Sequence, residues 1–357
     1  MATHKIAIVK GDGIGVDVVN EGMKVLDALA PKYGISWDYT EFPWGSDYYF
    51  EHGEMMPASA LDTLADFNAV FLGAVGHPDI QDNITLDGLL LPIRRRFDQY
   101  ICLRPSVLYP GVTSPLSGKN PYDIDLTVVR ENTEGAYTGM GGSFKTGTSD
   151  EVAIEEDVNT RKGVERIIWA AFEFAGSRGR GRVTLVDKAN VQRHAGGLWR
   201  RVFAEVGAAY ADIEQDAMYV DAMVMDLVRR PERYEVIVTS NLFGDIVSDL
   251  AAEVTGGLGL APSANIHPGR VALFEPVHGS APDIAGKGIA NPIGAIRCVS
   301  LMLDHFGRSD LGERVEAAVA GSVEAGKTTP DLGGEYSTED VGQWITARVV
   351  GVHAAST

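Results

Sequence analysis

The chain has 357 residues, of which 45% are hydrophobic and 22% are charged, and its formal net charge at pH 7 is −18. This composition is ordinary for a globular protein, whereas the strong negative charge argues against nucleic acid or an anionic membrane as a partner. The length predicts two domains or lobes, because one hydrophobic core rarely serves a chain of this size.

The expected compartment is the reducing cytoplasm. Cys102 and Cys298 lie in apolar sequence without metal-type spacing, which predicts two free thiols. No signal-peptide pattern is visible at the start of the sequence, and no apolar run has the length of a membrane span.

The first segment follows the order strand, glycine-rich turn, helix. Residues 5–9 predict a strand, and GDGIG (11–15), which includes Ile14, predicts a turn. The stripe of apolar residues after this turn predicts a helix to about residue 30. A Rossmann fingerprint needs a third glycine where Val16 stands, so plain turn glycines are an equally good interpretation. Two further strands are predicted at 35–42 and 69–72, and Gly73 opens a second glycine-rich loop suited to approach a nucleotide.

Arginines then cluster in this acidic chain. Residues 89–101 predict a helix that includes Arg94, Arg95 and Arg96, and Arg104 follows closely. The cluster indicates an anionic ligand, with a solvated basic patch as the alternative.

The middle of the chain alternates strands and helices. We predict a strand at 124–130, a protruding arm at about 131–157, and a helix at 160–176. A strand at 183–187 precedes Lys188, and a helix at about 195–207 follows. An apolar stretch at 218–228 contains Asp221.

A pair of acids marks the strongest candidate metal site. Residues 236–238 predict a buried strand, and 239–241 offer N-caps for a helix that carries Asp245 and Asp249 on one face. Like charges at this spacing oppose helix formation by about 0.2–0.5 kcal/mol. We therefore expect a divalent cation to offset the repulsion, the alternative being a solvated acidic face.

The last predicted helices lie near 293–306, 311–325 and 338–349. Strands that alternate with helices indicate an α/β class with a largely parallel sheet. Because no long linker separates two halves, we expect the two lobes to interleave along the chain.

Seven motifs together resemble one enzyme family, the β-decarboxylating dehydrogenases, which include isocitrate, 3-isopropylmalate, homoisocitrate and tartrate/D-malate dehydrogenases. The motifs are GDGIG (11–15), Arg94 with LRP (103–105), VVRENTEG (128–135), VDKANV (186–191), YVDAM (219–223), NLFGDIVSDL (241–250) and EPVHGSAPDIAGKGIANP (275–292). The resemblance implies an isopropylmalate dehydrogenase-like α/β fold with two interlocked lobes, not a Rossmann fold. The first lobe would be 1–101 plus 257–357 and the second 102–256, in a homodimer that shares its active sites.

The resemblance also implies roles for single residues. Three arginines would bind the carboxylates of a malate-type substrate: Arg94, Arg104 and Arg130. Three acids would hold Mg²⁺ or Mn²⁺: Asp221, Asp245 and Asp249. Asp221 would come from the second subunit and would also contact the substrate. Lys188, also from the second subunit, would be the general base and Tyr137 the general acid.

The last motif would bind the cofactor, together with Ile14 and Gly73 from the two glycine-rich loops. The implied contacts run from Glu275 through His278, Gly279, Ser280 and Ala281 to Asn291. Asp283 and Ile284 resemble the NAD-selecting version of this loop, since a carboxylate accepts a hydrogen bond from a ribose 2′-hydroxyl and repels a 2′-phosphate. A requirement for a monovalent cation is left open.

The substrate is less sharply defined. FPWGSDYYFEHGEMMP (42–57) and RENTEG (130–135) resemble tartrate/D-malate dehydrogenases, whereas VDKANV and YVDAM resemble isopropylmalate enzymes. Asp87 stands where tartrate-type enzymes tend to have Trp and isopropylmalate enzymes Glu, and Leu89, Leu90 and Leu91 could line a pocket for a C3 substituent. We favour NAD-dependent oxidative decarboxylation of D-malate or tartrate, with 3-isopropylmalate second.

Two other interpretations stay open. A non-catalytic regulatory subunit would typically lack a catalytic or metal residue, and this chain retains them. A metal-free Rossmann hydroxyacid dehydrogenase would leave Asp245 and Asp249 unexplained.

Overall fold

The computed structural model describes residues 3–351, which form two compact units. Unit 1 comprises the chain up to Gln99, Val107–Asp123 and the chain from Ala252 onward, and unit 2 comprises Tyr100–Ser106 and Ile124–Ala251. Among the described residues, no helix combines the length and the apolar character needed to cross a bilayer.

The elements are as follows. The strands are β1 Thr3–Gly11, β2 Ser36–Glu41, β3 Ala69–Ala74, β4 Ile101–Val107, β5 Asp125–Glu131, β6 Gly141–Phe144, β7 Val152–Glu155, β8 Arg182–Asp187, β9 Glu214–Tyr219, β10 Val236–Thr239, β11 Pro262–Ile266 and β12 Ala272–Pro276. The α-helices are α1 Ile14–Tyr33, α2 Ser46–His52, α3 Ala60–Leu64, α4 Asp82–Thr85, α5 Leu91–Arg96, α6 Arg161–Ser177, α7 Arg193–Gly207, α8 Val220–Arg229, α9 Asn241–Val254, α10 Ile293–His305, α11 Ser309–Glu324 and α12 Thr338–Val349.

Unit 1 is built on strands in the order β2-β1-β3-β12-β11. The first four run parallel, and β11 pairs antiparallel with β12. All six residues of β3 are buried, as expected for a strand that is covered on both faces. Helix α1 packs against α10 and α12, and α10 against α11. The predicted α/β class with a largely parallel sheet is confirmed.

Unit 2 repeats this arrangement with strands in the order β4-β5-β10-β8-β9. Strands β5, β10, β8 and β9 are parallel, and α6 packs against β5, β8, β10 and α7. The glycine-rich segment after β5 forms a separate antiparallel hairpin, β6–β7, in which all eight strand residues are exposed.

The division between the units differs from the predicted lobe boundaries mainly at residues 107–123, and by a few residues at 100–101 and 252–256. We expected the segment 107–123 in the second lobe, yet it belongs to unit 1. Its contacts explain the difference, because Ser114 Oγ donates to the carbonyl of Val254 at 2.7 Å and Tyr109 donates to Glu316.

The helix predicted at 89–101 is shorter than expected. A π-helical turn, Leu86–Leu90, leads into α5, which ends at Arg96. Asp98 adopts a φ of 48°, a left-handed conformation that ends the helix before β4 begins. Leu89, expected to line a substrate pocket, is fully buried in the hydrophobic core instead.

Candidate active site

The centre of the site in unit 2 is Asp245 on α9. Its Oδ1 accepts hydrogen bonds from Arg130 Nη1 and, at 3.1 Å, from Arg104 Nη1, while its Oδ2 accepts from the Tyr137 hydroxyl at 2.7 Å. The three donors come from β5, β4 and the turn after β5. Three of the predicted site residues therefore meet on one predicted metal ligand.

Asn241 holds the Arg130 guanidinium in place. The Asn241 Oδ1 accepts from Arg130 Nε at 3.0 Å and from Nη2 at 2.7 Å, and its Nδ2 donates to the carbonyl of Glu134. Only 1% of Arg130 is exposed, so burial fixes its direction. Asn241 was expected as an N-cap, but its side chain serves this arginine instead.

Arg104 bridges the two acids of α9. Its Nη1 lies 3.1 Å from Asp245 Oδ1, 3.1 Å from Asp249 Oδ1 and 2.9 Å from Ser248 Oγ. The expected repulsion between the two acids is thus offset within the chain by Arg104. The sequence pattern had indicated a metal ion in this role and not an arginine. Oxygens this close to one cationic nitrogen can also both contact one metal ion, and carboxylate oxygens are the ligands that Mg²⁺ and Mn²⁺ prefer.

Burial shapes the protonation of this cluster. It raises the pKa of the Tyr137 phenol, an effect that the Arg130 charge opposes, so the phenol keeps its proton at neutral pH. Burial likewise raises the pKa of the Asp249 carboxyl. The Arg104 charge opposes this rise in pKa, and the Asp245 charge adds to it.

Lys188 and Asp221 form a separate pair in unit 2. The Lys188 ammonium donates to Asp221, and this hydrogen bond lowers the pKa of the exposed carboxyl. The buried Asp187 orients the start of this loop, since it accepts from Ala189 N at 3.0 Å and from Arg200 Nε at 2.6 Å. Within residues 3–351, no three acidic, histidine or cysteine side chains converge on a metal-sized site.

Unit 1 carries a tightly built glycine loop at the carboxyl end of β1. A Cβ on Gly13, which has a φ of 55°, would lie 2.0 Å from the Ser280 carbonyl, and Ile14 N donates to that same carbonyl at 2.8 Å. A Cβ on Gly73 would lie 2.2 Å from the Lys10 carbonyl. The glycines are needed for close backbone approach.

Asp12 joins this loop to its neighbours. Its carboxylate accepts from Ser46 N at 2.7 Å, from Ser46 Oγ at 2.6 Å and from Gly76 N at 2.8 Å. Asp12 was not among the predicted site residues, although its place inside GDGIG was the available signal.

The 275–291 loop has features of a ligand-binding segment. His278 Nε2 is buried and makes no hydrogen bond within the described chain, and burial lowers the pKa of this imidazole. Ala281 has a φ of 38°, which is strained for a residue with a Cβ. Gly279 and Asp283 are exposed, and Ile284 is partly buried. Asn291 Nδ2 donates a hydrogen bond to Asp331 Oδ2 at 2.9 Å. An unpartnered buried nitrogen and a strained loop fit a bound nucleotide.

Arg94 and Glu275 form a buried ion pair in unit 1. Arg94 Nη2 lies 2.8 Å from Glu275 Oε1, which also accepts from Asn265 Nδ2 at 3.0 Å. The structure thus gives Glu275 an arginine partner that the sequence did not suggest. Arg94 Nε is buried without a hydrogen-bond partner in the described residues, which leaves one donor for an anion.

The residues proposed to select substrate lie around the π-helical turn. Asp87 is exposed, whereas Leu91 is partly buried and Leu90 packs partly against the core that contains Leu89. Of the three leucines, Leu91 is therefore the best placed to contact a ligand.

A family model described as isocitrate/isopropylmalate dehydrogenase matches residues 5–345. The chain belongs to this family of oxidatively decarboxylating dehydrogenases, and the predicted family and α/β fold class are confirmed.

Particular relatives bear different names. A 3-isopropylmalate dehydrogenase from Thermobifida fusca is 48% identical over 97% of this chain and 98% of its own. A probable tartrate dehydrogenase/decarboxylase from Agrobacterium vitis is 47% identical over 98% and 99%. The decarboxylating D-malate dehydrogenase of Escherichia coli is 46% identical over 97% and 98%. The crystal structure of isocitrate dehydrogenase from Methylococcus capsulatus matches with a TM-score of 0.87 at 39% identity, over 97% of this chain and 99% of that one.

Proposed function

We propose that this protein is an NAD- and divalent-metal-dependent enzyme that oxidatively decarboxylates a D-malate-type 2-hydroxy acid. The observation that carries the proposal is the convergence of Arg104, Arg130 and Tyr137 on Asp245. The tartrate and D-malate relatives support this substrate class, and the Thermobifida relative supports 3-isopropylmalate as the second candidate.

In this proposal the arginines bind the substrate carboxylates. Arg104 and Arg130 present guanidinium groups whose direction is fixed by burial and by Asn241 and Ser248. Planar guanidinium matches the two oxygens of a carboxylate. Arg94 would add a contact through its unpartnered Nε.

Asp245 and Asp249 would hold Mg²⁺ or Mn²⁺ together with Asp221 of a second subunit. The bound ion supplies a Lewis acid that stabilises negative charge on the oxygen at C2 during loss of CO₂.

Two groups would move protons. Lys188, from the second subunit, would accept the proton of the substrate hydroxyl, and the Tyr137 phenol, held protonated by its raised pKa, would donate a proton to C3 after CO₂ leaves. Bound NAD supplies the acceptor for the hydride from C2.

The loop around His278 would bind the adenosine part of NAD. Its buried, unpartnered Nε2 is available to a ligand, and exposed Asp283 would accept a hydrogen bond from the ribose 2′-hydroxyl.

Unit 2 offers a surface on which a second copy would dock. Four apolar side chains on two successive α-helices are exposed by 43–61%: Met225 and Val228 on α8, and Leu242 and Ile246 on α9. Large exposed apolar side chains that cluster in this way are suited to an interface between chains. Because α8 also carries Asp221 and α9 also carries Asp245, pairing through these helices would bring the acids of two chains together.

A mixing experiment tests the shared site. Lys188→Ala and Tyr137→Phe chains are each expected to be inactive, and co-refolding them should restore activity, because a mixed dimer contains one site with both wild-type residues. Up to about half of the refolded dimers would be mixed. Mixed dimers shown to form by two distinct affinity tags, yet devoid of activity, would contradict the assignment.

A substrate panel tests the function. NADH formation with Mn²⁺ should be fastest for D-malate, graded for 3-alkylmalates including 3-isopropylmalate, and poor for isocitrate, because one methylene in an apolar pocket changes binding by only about 1–3 kcal/mol. Use of 3-isopropylmalate alone would make the second candidate correct.

Asp87→Trp tests the specificity element. A bulky ring at this exposed position should lower kcat/KM for 3-isopropylmalate by about tenfold or more and leave D-malate within about twofold. Asp82→Trp, at an exposed position of α4, is the matched control. Equal losses on both substrates would show that residue 87 does not discriminate.

A further inference from the structure

Unit 1 contains a cavity of about 560 Å³ at the amino ends of its strands. His4 lies near the start of β1, Phe67 and Asn68 directly precede β3, and Arg270 precedes β12. The volume is within the range of pockets that bind small molecules.

This cavity is separate from the proposed cofactor site. The glycine loop at Gly13 follows the carboxyl end of β1, and Gly76 follows that of β3. Because β3 has six residues, its two ends are about 20 Å apart. Neither the proposed function nor its residues account for this cavity.

Two arginines line the cavity of this acidic protein. Its eleven lining residues include Arg96 and Arg270 and no acid, whereas the whole chain carries a net charge of −18. Arg270 is exposed and has no ion-pair partner in the described residues. Arg96 pairs with Asp62 at 3.1 Å, but both side chains are largely exposed, so this pair is weak and can exchange for a ligand.

Other polar groups add donors without adding charge. Burial lowers the pKa of His4 and of His305, so both imidazoles are neutral at pH 7. Asn68 Oδ1 accepts from the backbone of Lys5, which leaves the Asn68 amide nitrogen as a donor.

Aromatic rings form another part of the wall. The His4 ring stacks on Phe306 with centroids 4.1 Å apart and planes inclined by 17°, and Phe67 and Phe97 also line the cavity. Aromatic faces favour a planar apolar body, and guanidinium groups favour a carboxylate or phosphate.

We propose that this cavity binds a small aromatic anion, with its ring against Phe306 and Phe67 and its carboxylate or phosphate on Arg96 and Arg270. Carboxylate and phosphate share this chemistry, so the probes distinguish them.

Calorimetric titration of the NAD-saturated protein tests the proposal. The probes are 2-naphthoate, 2-naphthyl phosphate and uncharged 2-naphthol. At least one anion should bind saturably and 2-naphthol should bind about tenfold more weakly or worse, because it lacks the charged hydrogen bonds. Failure of both anions to bind at millimolar concentration would overturn the proposal.

Two variants locate the binding. Arg270→Ala should weaken the anion about tenfold or more, and Ala65→Trp should block it by filling the cavity from an exposed lining position. Arg348→Ala is the matched control, since Arg348 is an exposed arginine outside the cavity lining, 4.7 Å from the Trp344 ring. All variants should keep wild-type turnover. If both Arg270→Ala and Ala65→Trp bind the anion with wild-type affinity, the anion binds elsewhere and the proposal is wrong.

Discussion

Asp245→Asn is expected to lower kcat about 10²–10³-fold while the protein stays folded. Asp245 accepts hydrogen bonds from Arg104, Arg130 and Tyr137 and is a proposed metal ligand. An amide of the same shape keeps one acceptor oxygen, which can serve the two arginines, and places an NH2 group beside the Tyr137 hydroxyl, but it loses the negative charge that would hold a divalent cation.

The control for this variant is Glu253→Gln, which removes a charge from an exposed position of the same helix, outside the cluster. It should retain wild-type kcat. Both variants are compared by steady-state kinetics over a range of Mn²⁺ and by thermal unfolding. Wild-type kcat in Asp245→Asn, or full wild-type activity in excess EDTA, would refute the metal assignment.

Much of the fold could be predicted because local sequence and final structure agree. The β-branched run at 236–238 is a buried strand, and the apolar stripe after GDGIG is helix α1. Strand β9 was missed because four of its six residues are polar or small and none is buried, so it lacks the pattern of a buried strand. Propensity could not reveal β11 and β12 either, since their pairing depends on tertiary contacts.

The site was only partly predictable, and its long-range contacts explain why. The spacing of Asp245 and Asp249 placed both acids on one face, but the neutralising Arg104 lies more than 140 residues earlier in the chain. No local pattern reports which cation will sit beside an acidic pair. The hydrogen bonds between Arg130 and Asn241, and the close approach of Gly13 to Ser280, could not be predicted from local sequence for the same reason.

The second large effect concerns the cofactor. Wild-type kcat/KM should favour NAD over NADP by about 10²-fold or more, because the exposed Asp283 carboxylate would repel a 2′-phosphate, and like charges brought together cost several kcal/mol. Replacing Asp283 with Lys and Ile284 with Tyr should narrow or reverse this preference, since the repulsive group is removed and a cation faces the phosphate.

Loop anchoring makes this double variant informative. Gly286 N donates to Asp17 Oδ2 on α1 at 2.9 Å, and neither Asp283 nor Ile284 takes part in that bond, so the loop should keep its path. Asp38→Lys, at an exposed position of β2, reproduces the charge change of the Asp283 substitution away from the loop and should leave the NAD/NADP ratio unchanged. A long-range effect of net charge would shift both variants alike, whereas direct repulsion shifts only the loop variant. Wild-type preference for NADP would mean that Asp283 does not face the ribose, because a carboxylate beside the 2′-position cannot favour a phosphate there.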